Sequence, residues 1–355
     1  MQWYPLKLSY HVRTYAFGER LIPERIGKQG APDGVVAETW EFSCLDETTG
    51  TIINGPLEGQ SLHDVTMAHP EEVVGQGRSG PHFPMLGKFL DASHMLPVHL
   101  HADDETAARV YGAPNGKTEA WHILWAAPDA SILAGVKDGV TRDQLVAAFK
   151  RQDYDSVMPR YPIKAGDTVY VPGGILHSFG PDSLIFEIQQ TSDLGQHVMP
   201  VDLYGNPLTP EQWDEGIEKT LAELKTDYFP RPHSGCSITR EGNKYSIGAA
   251  GPHFALERWK LGNAHFEDGR YQRALTLTNV GDPVTVKHDG GEEPLQRAES
   301  CILPAAIGDV VIEPTGEGDL IACYVPDMVR DISSRLLAEG YDRDRIEALG
   351  IAAGR

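Results

Sequence analysis

The stretch from Gly166 to His177 constrains the fold of this chain more than any other. Gly166 precedes a short alternating run, Asp167-Thr-Val-Tyr-Val171, which stops at Pro172-Gly-Gly174 three residues before His177. Proline and glycine end the run in a tight turn, so the chain reverses and His177 opens a returning strand that faces the interior. Leu184 to Gln190 continues the return, with Ile185, Glu187 and Gln189 on one face. Upstream, His99 and His101 lie two apart on a strand read from Pro97 to His101, so both imidazoles leave the same side. Glu105 follows soon after them, but Ala102 to Arg109 reads as a polar helical turn, whereas Glu119 opens an aromatic strand, Ala120 to Trp125. Residues 102–118 are therefore read as an insertion and Glu119 as the carboxylate. His99, His101, Glu119 and His177 together form a donor set for one divalent metal ion, with one or two positions left open, as in a catalytic site. Such N/O ligands suit zinc best here, and also manganese, iron, cobalt or nickel. A single strand-end histidine is more often solvated or packed than metal-bound; the H-x-H pair and the Pro-Gly-His turn occurring together reverse that expectation.

The pattern G-x5-P-x-G-x2-H resembles the second motif of the cupin barrel. More specifically, the chain resembles the type I mannose-6-phosphate isomerases. Leu96-Pro-Val-His-Leu-His-Ala-Asp-Asp-Glu105 is similar to that family's L-S-V-Q-V-H-P-D-D-E, Gly116-Lys-Thr-Glu-Ala-Trp121 to its G-K-T-E-x-W, and Glu187-Ile-Gln-Gln-Thr-Ser-Asp193 to its E-x-Q-Q-x-S-D. The similarity also takes in Ala37 to Ser43, Asn54 to Gly59 and Phe83 to Asp91, and covers most of residues 15–325. There are three departures. His99 stands where the family has Gln, which keeps a donor atom. Pro97 replaces a serine that holds the substrate phosphate, and proline has neither hydroxyl nor amide proton. His197 falls near the place of an arginine that grips the phosphate, and imidazole cannot reproduce a guanidinium's two parallel hydrogen bonds. The substrate implied is therefore a sugar phosphate, or a sugar that is neutral or differently charged.

The resemblance implies an aldose–ketose isomerase working through an enediol, with the metal orienting sugar oxygens and stabilising enediolate charge. A general acid–base group must move a proton between C1 and C2. Glu187 is the first candidate base, Asp193 a second acid for ring opening, and Lys117 an electrophilic partner for the enediolate oxygen. For these three the bland alternatives are a paired structural carboxylate, a strand-end cap and an exposed loop lysine. His197, His122 and Gln189 are expected substrate contacts, although His122 suits a satisfied core position equally. Two rivals are a non-catalytic cupin that binds sugar or metal and an iron cupin that activates oxygen; poised acid and base groups favour the isomerase.

The fold expected is mainly β: two cupin-type jelly-roll barrels with inserted helices and a helical C-terminal tail. Residues 1–205 are read as the metal-binding domain, with a helical insertion near 141–159, and 206–232 as a helical connector. Residues 233–325 form a second barrel, which lacks both metal motifs and is expected to bind no metal, and 326–355 are the tail, which suits either packing on the barrel or a homodimer contact. A net charge of −20 and pI near 5.0 argue against nucleic acid or an anionic membrane as partner. No run approaches the roughly 18 apolar residues of a membrane span, and the first 30 residues carry no signal-like apolar core. Cys44, Cys236, Cys301 and Cys323 are widely spaced and read as reduced core residues, which fits a cytoplasmic chain.

Overall fold

A computed structural model describes residues 1–78 and 80–350. It contains two antiparallel barrels. In the first, a six-stranded sheet runs in neighbour order His11–Arg13, Glu38–Phe42, Met85–Ala92, Ser183–Gln190, Glu119–Ala126 and Thr168–Val171. A five-stranded sheet of Gln196–His197, His99–Leu100, His177–Phe179, Ser131–Ala134 and Arg160–Pro162 faces it. Leu90, Trp121, Val169 and Ile185 from the larger sheet meet Ile132 and Phe179 from the smaller in one buried cluster, so period-2 alternation places these residues inside and their neighbours outside.

The second barrel repeats the plan. Its larger sheet runs Leu6–Lys7, Ser300–Leu303, Leu275–Asn279, Gly318–Tyr324, Ala255–Leu261, Asn243–Ala250 and Cys236–Arg240; its smaller sheet runs His265–Glu267, Val310–Pro314, Val284–His288 and Gly291–Leu295. The span 1–205 is thus not a closed unit. Leu6 and Lys7 pair with Ile302 and Cys301, so the beginning of the chain is an edge strand of the other barrel. The outward faces of the two large sheets share a core in which Phe89, Phe186 and Ile188 pack with Leu256, Ile321 and Cys323. Gly248 allows a close approach: a Cβ there would lie 2.5 Å from Thr168 Oγ1.

Two amphipathic helices lie outside the first barrel. Arg142–Arg151 starts with a capping box in which Thr141 and Gln144 exchange side chain–backbone bonds, and Leu145, Ala148 and Phe149 are its buried face. Pro210–Glu223, the connector, starts with the same device at Thr209 and Gln212 and buries Ile217 against that cluster. In the tail, Met328–Ser333, Ser334–Ala338 and Arg343–Glu347 are helical. Ile332, Leu336, Ile346 and Leu349 join the second barrel's core, so the tail packs on that barrel. Residues 351–355 of the expected tail lie outside the described residues. Among the described residues no helix is long and apolar enough to cross a membrane.

Candidate metal centre and catalytic pocket

The returning strand is set by its turn. Gly174 has φ +91°, where a side chain is strained, and its N–H donates to the His101 carbonyl at 2.7 Å. This bond fastens the turn to the strand that carries the histidine pair, and His177 then pairs directly across from His99. The donor atoms of His99, His101 and His177 lie within 4.8 Å of one another.

Each ring is oriented through its other nitrogen. Nδ1 of His99 faces the Pro97 carbonyl at 2.7 Å, Nδ1 of His101 the Leu194 carbonyl at 2.9 Å and Nδ1 of His177 the Ile175 carbonyl at 2.8 Å. A carbonyl only accepts, so each Nδ1 carries a proton and each Nε2 is turned to the centre. The Nε2 atoms of His99 and His177 stand 3.0 Å apart, and Nε2 of His101 is buried without a hydrogen-bond partner. Ring nitrogens converging in this way fit a cation, and carbonyl-anchored imidazoles are the usual outer support of metal-binding histidines. Burial first, and then neighbouring positive charge, hold His99 and His101 well below the usual imidazole pKa, which keeps them neutral and able to coordinate.

Glu119 adjoins this centre. Its Oε1 lies 2.9 Å from Nε2 of His177 and its Oε2 3.5 Å from Nε2 of His101. Burial works against its charge, but Lys117, His101 and His177 outweigh it and hold the carboxyl well below the ordinary range. Glu105, in contrast, is exposed on the helical turn Asp104–Thr106.

Behind the histidines, buried charges alternate in sign. Lys117 Nζ is 3.1 Å from Glu119 and 3.4 Å from Glu187; Lys88 Nζ is 3.3 Å from Glu187 and 3.4 Å from Glu38. All of these side chains are at most 6% exposed. Burial and the charge of Glu119, only partly offset by Lys88 and Lys117, push Glu187 up to about 8. Glu187, Lys117 and Asp193 all line one cavity of 150 Å³ beside His99 and His101, and His197 lines it too.

Two expected substrate contacts are placed elsewhere. Because Glu119 and Trp121 point inward, strand alternation turns His122 outward to the second barrel, where its Nδ1 meets Thr168 Oγ1 at 2.9 Å and its Nε2 meets Arg258 at 3.0 Å. Its role is that of a satisfied core histidine. Gln189 does not line the cavity; its amide donates to the carbonyls of Gln190 and Ser192 and so braces the loop that carries Asp193. Lys88 and Glu38 are additions. Their signal was present as a lysine within the apolar run Met85–Ala92 and a glutamate opening Glu38–Phe42, charges that a buried strand carries only when paired.

No protein-family model matches the chain. It is 29% identical over 316 residues to the probable mannose-6-phosphate isomerase GmuF of Bacillus subtilis, covering 88% of this chain and 98% of that one. It is 27% identical over 262 residues to the mannose-6-phosphate isomerase of Streptococcus mutans, covering 72% and 79%. The crystal structure of the mannose 6-phosphate isomerase of Bacillus subtilis superposes with a TM-score of 0.80 at 25% identity, covering 90% of this chain and 99% of that one.

Proposed function

We infer that this chain, a relative of the mannose-6-phosphate isomerases in sequence and fold, is a metal-dependent sugar isomerase that interconverts an aldose and a ketose. The observation that carries the reading is the convergence of three imidazoles beside a buried array of carboxylates and lysines that lines one cavity. His99, His101 and His177 would hold the ion with Glu119 as fourth ligand, and zinc suits three nitrogens and one oxygen best. Bound there, a divalent ion supplies Lewis-acid polarisation of the sugar's oxygens.

The protein supplies the proton transfers. Glu187 takes the proton from C2 of the open-chain aldose and returns it to C1, while the hydroxyl proton crosses from O2 to O1; no electron donor is needed. A carboxyl raised above the ordinary range is a stronger base than an exposed carboxylate, which suits it to take up the C2 proton and return it to C1. Lys117, against Glu119 and Glu187, offers positive charge to the enediolate oxygen, and Asp193 serves ring opening. Four buried free thiols favour the cytoplasm as its compartment.

Glu187→Gln keeps the shape and removes the base. The expected result, in protein shown to hold its metal, is a fall in isomerisation of on the order of 1000-fold with sugar binding retained. An unchanged rate would remove Glu187 from the mechanism.

A further inference from the structure

We propose that the sugar taken by this site is uncharged, a free aldose and its ketose and not their phosphate monoesters. This rests on the isomerase reading and adds the substrate class to it. The cavity wall holds two cations, Lys88 and Lys117, and four carboxylates, those of Glu38, Glu119, Glu187 and Asp193. Both ammonium groups are already committed: Lys117 to Glu119 and Glu187, Lys88 to Glu187 and Glu38, at 3.1 to 3.4 Å.

Four carboxyl groups thus face two ammonium groups, and a divalent ion among the histidines would offset the excess. An uncharged ligand preserves that balance. A phosphate monoester adds about −1.5 to −2, and would have to leave water with no free counter-charge to receive it.

Phosphate sites are commonly made from a guanidinium fork or from backbone N–H groups, and among the described residues this wall has no arginine. Arg13 is close in the chain to Tyr15 and Phe17, but its guanidinium lies over the Trp40 ring, 4.6 Å from the centroid, outside the wall. Pro97 has no N–H, and its carbonyl is taken by His99. The rest of the wall is largely apolar, with Phe17, Leu96, Phe179 and Leu203. These apolar side chains suit the C–H face of a sugar and offer a phosphate no counter-charge.

The test uses the full-length, metal-loaded protein and follows free mannose, glucose and xylose beside mannose 6-phosphate and glucose 6-phosphate by proton NMR in heavy water. A free sugar should be converted with kcat/KM on the order of 100-fold above that of any 6-phosphate, the discrimination expected from placing like charges together. Equal conversion, or better conversion of a phosphate, overturns the inference and leaves the isomerase reading standing. No deuterium exchange into any of the five overturns both. His197→Arg supplies a fork at the cavity's mouth and should raise kcat/KM for mannose 6-phosphate by about 10-fold; no gain would count against missing cationic groups as the reason for the preference.

Discussion

The two barrels share a strand plan and differ in how their buried polar groups are satisfied. In the first, Met85–Ala92 pairs with Ser183–Gln190, which pairs with Glu119–Ala126; in the second, Ala255–Leu261, Gly318–Tyr324 and Leu275–Asn279 repeat that order. His99–Leu100, crossing to His177–Phe179, corresponds to His265–Glu267, crossing to Val310–Pro314. The strand His265–Glu267 is therefore the second barrel's counterpart of the strand that carries His99. The surroundings of the two stretches differ. His265 engages the Tyr245 hydroxyl at 2.9 Å and Glu267 at 3.3 Å, and the turn Leu303-Pro-Ala-Ala-Ile-Gly308 leads to Val310, where the first barrel has His177. Glu257, in the place of Lys88, accepts from Trp259 Nε1 at 2.9 Å, the Tyr324 hydroxyl at 2.6 Å and Arg335 at 2.7 Å. In the first barrel Nε2 of His101 and Oε1 of Glu119 are buried without a hydrogen-bond partner. A closed network supports a fold, and an open one receives a ligand.

The largest effect should come from exchanging histidines between these counterparts. His177→Ala removes one of three converging nitrogens, and metal content and isomerisation should fall together, the latter on the order of 1000-fold. His265→Ala removes the histidine on the second barrel's equivalent of the His99–Leu100 strand and should leave bound metal, measured by elemental analysis, and rate unchanged. Loss of metal in the second variant would end the distinction between the barrels.

Next comes the closed network. Arg335→Ala leaves the fully buried Glu257 carboxylate without its cation, and a lost partner of this kind costs about 3 kcal/mol, readable in urea unfolding. Acid should probe the same pair. Arg335, with the Tyr324 and Trp259 donors, overcomes the burial that alone would raise Glu257, so its folded pKa lies below the ordinary 4.5. A depressed carboxyl contributes stability at pH above 4.5, and that contribution is lost as pH falls through the folded value. Glu257→Gln should therefore give a flatter stability profile below pH 4.5; an unaltered profile would mean that another group governs acid unfolding.

The sequence made the first barrel legible because its ligands are locally encoded. An H-x-H spacing on a strand and a Pro-Gly turn before a histidine specify faces and reversals without knowledge of the rest of the chain. The choice of Glu119 over Glu105 rested on strand against helical turn, and Glu119 lies beside His177 while Glu105 is exposed. Long-range pairing was not legible. Nothing local to Leu6 says that it crosses to Ile302, and nothing local to Lys88 says that Glu38 and Glu187 close on it from the two neighbouring strands. His122 shows the same limit in reverse, since its parity against Glu119 was readable but the second barrel that satisfies it was not.

The smallest effect concerns the segment that joins the barrels. The connector helix Pro210–Glu223 touches the catalytic barrel at the strand that ends in His197: Trp213 Nε1 donates to the Val198 carbonyl at 2.7 Å, and Gly216 approaches the His197 carbonyl so closely that a Cβ would lie 2.9 Å from it. Its first turn is held by Thr209, whose hydroxyl accepts from the Gln212 amide at 3.2 Å while the Gln212 side chain accepts from the Thr209 amide at 2.9 Å. Thr209→Ala breaks one half of that reciprocal cap and should cost about 1 kcal/mol. Thr141→Ala breaks the equivalent cap on Arg142–Arg151 and should cost a similar amount, but that helix meets the barrel through the apolar cluster that holds Leu133 and has no counterpart of the Trp213–Val198 bond among the described residues. The two variants should thus be alike in stability and unlike in catalysis. Fraying the connector loosens the strand beneath His197 and should raise KM modestly with kcat held, whereas fraying the insertion should change neither. Equal KM values in the two variants would show that the connector only joins the barrels and does not position the mouth of the cavity.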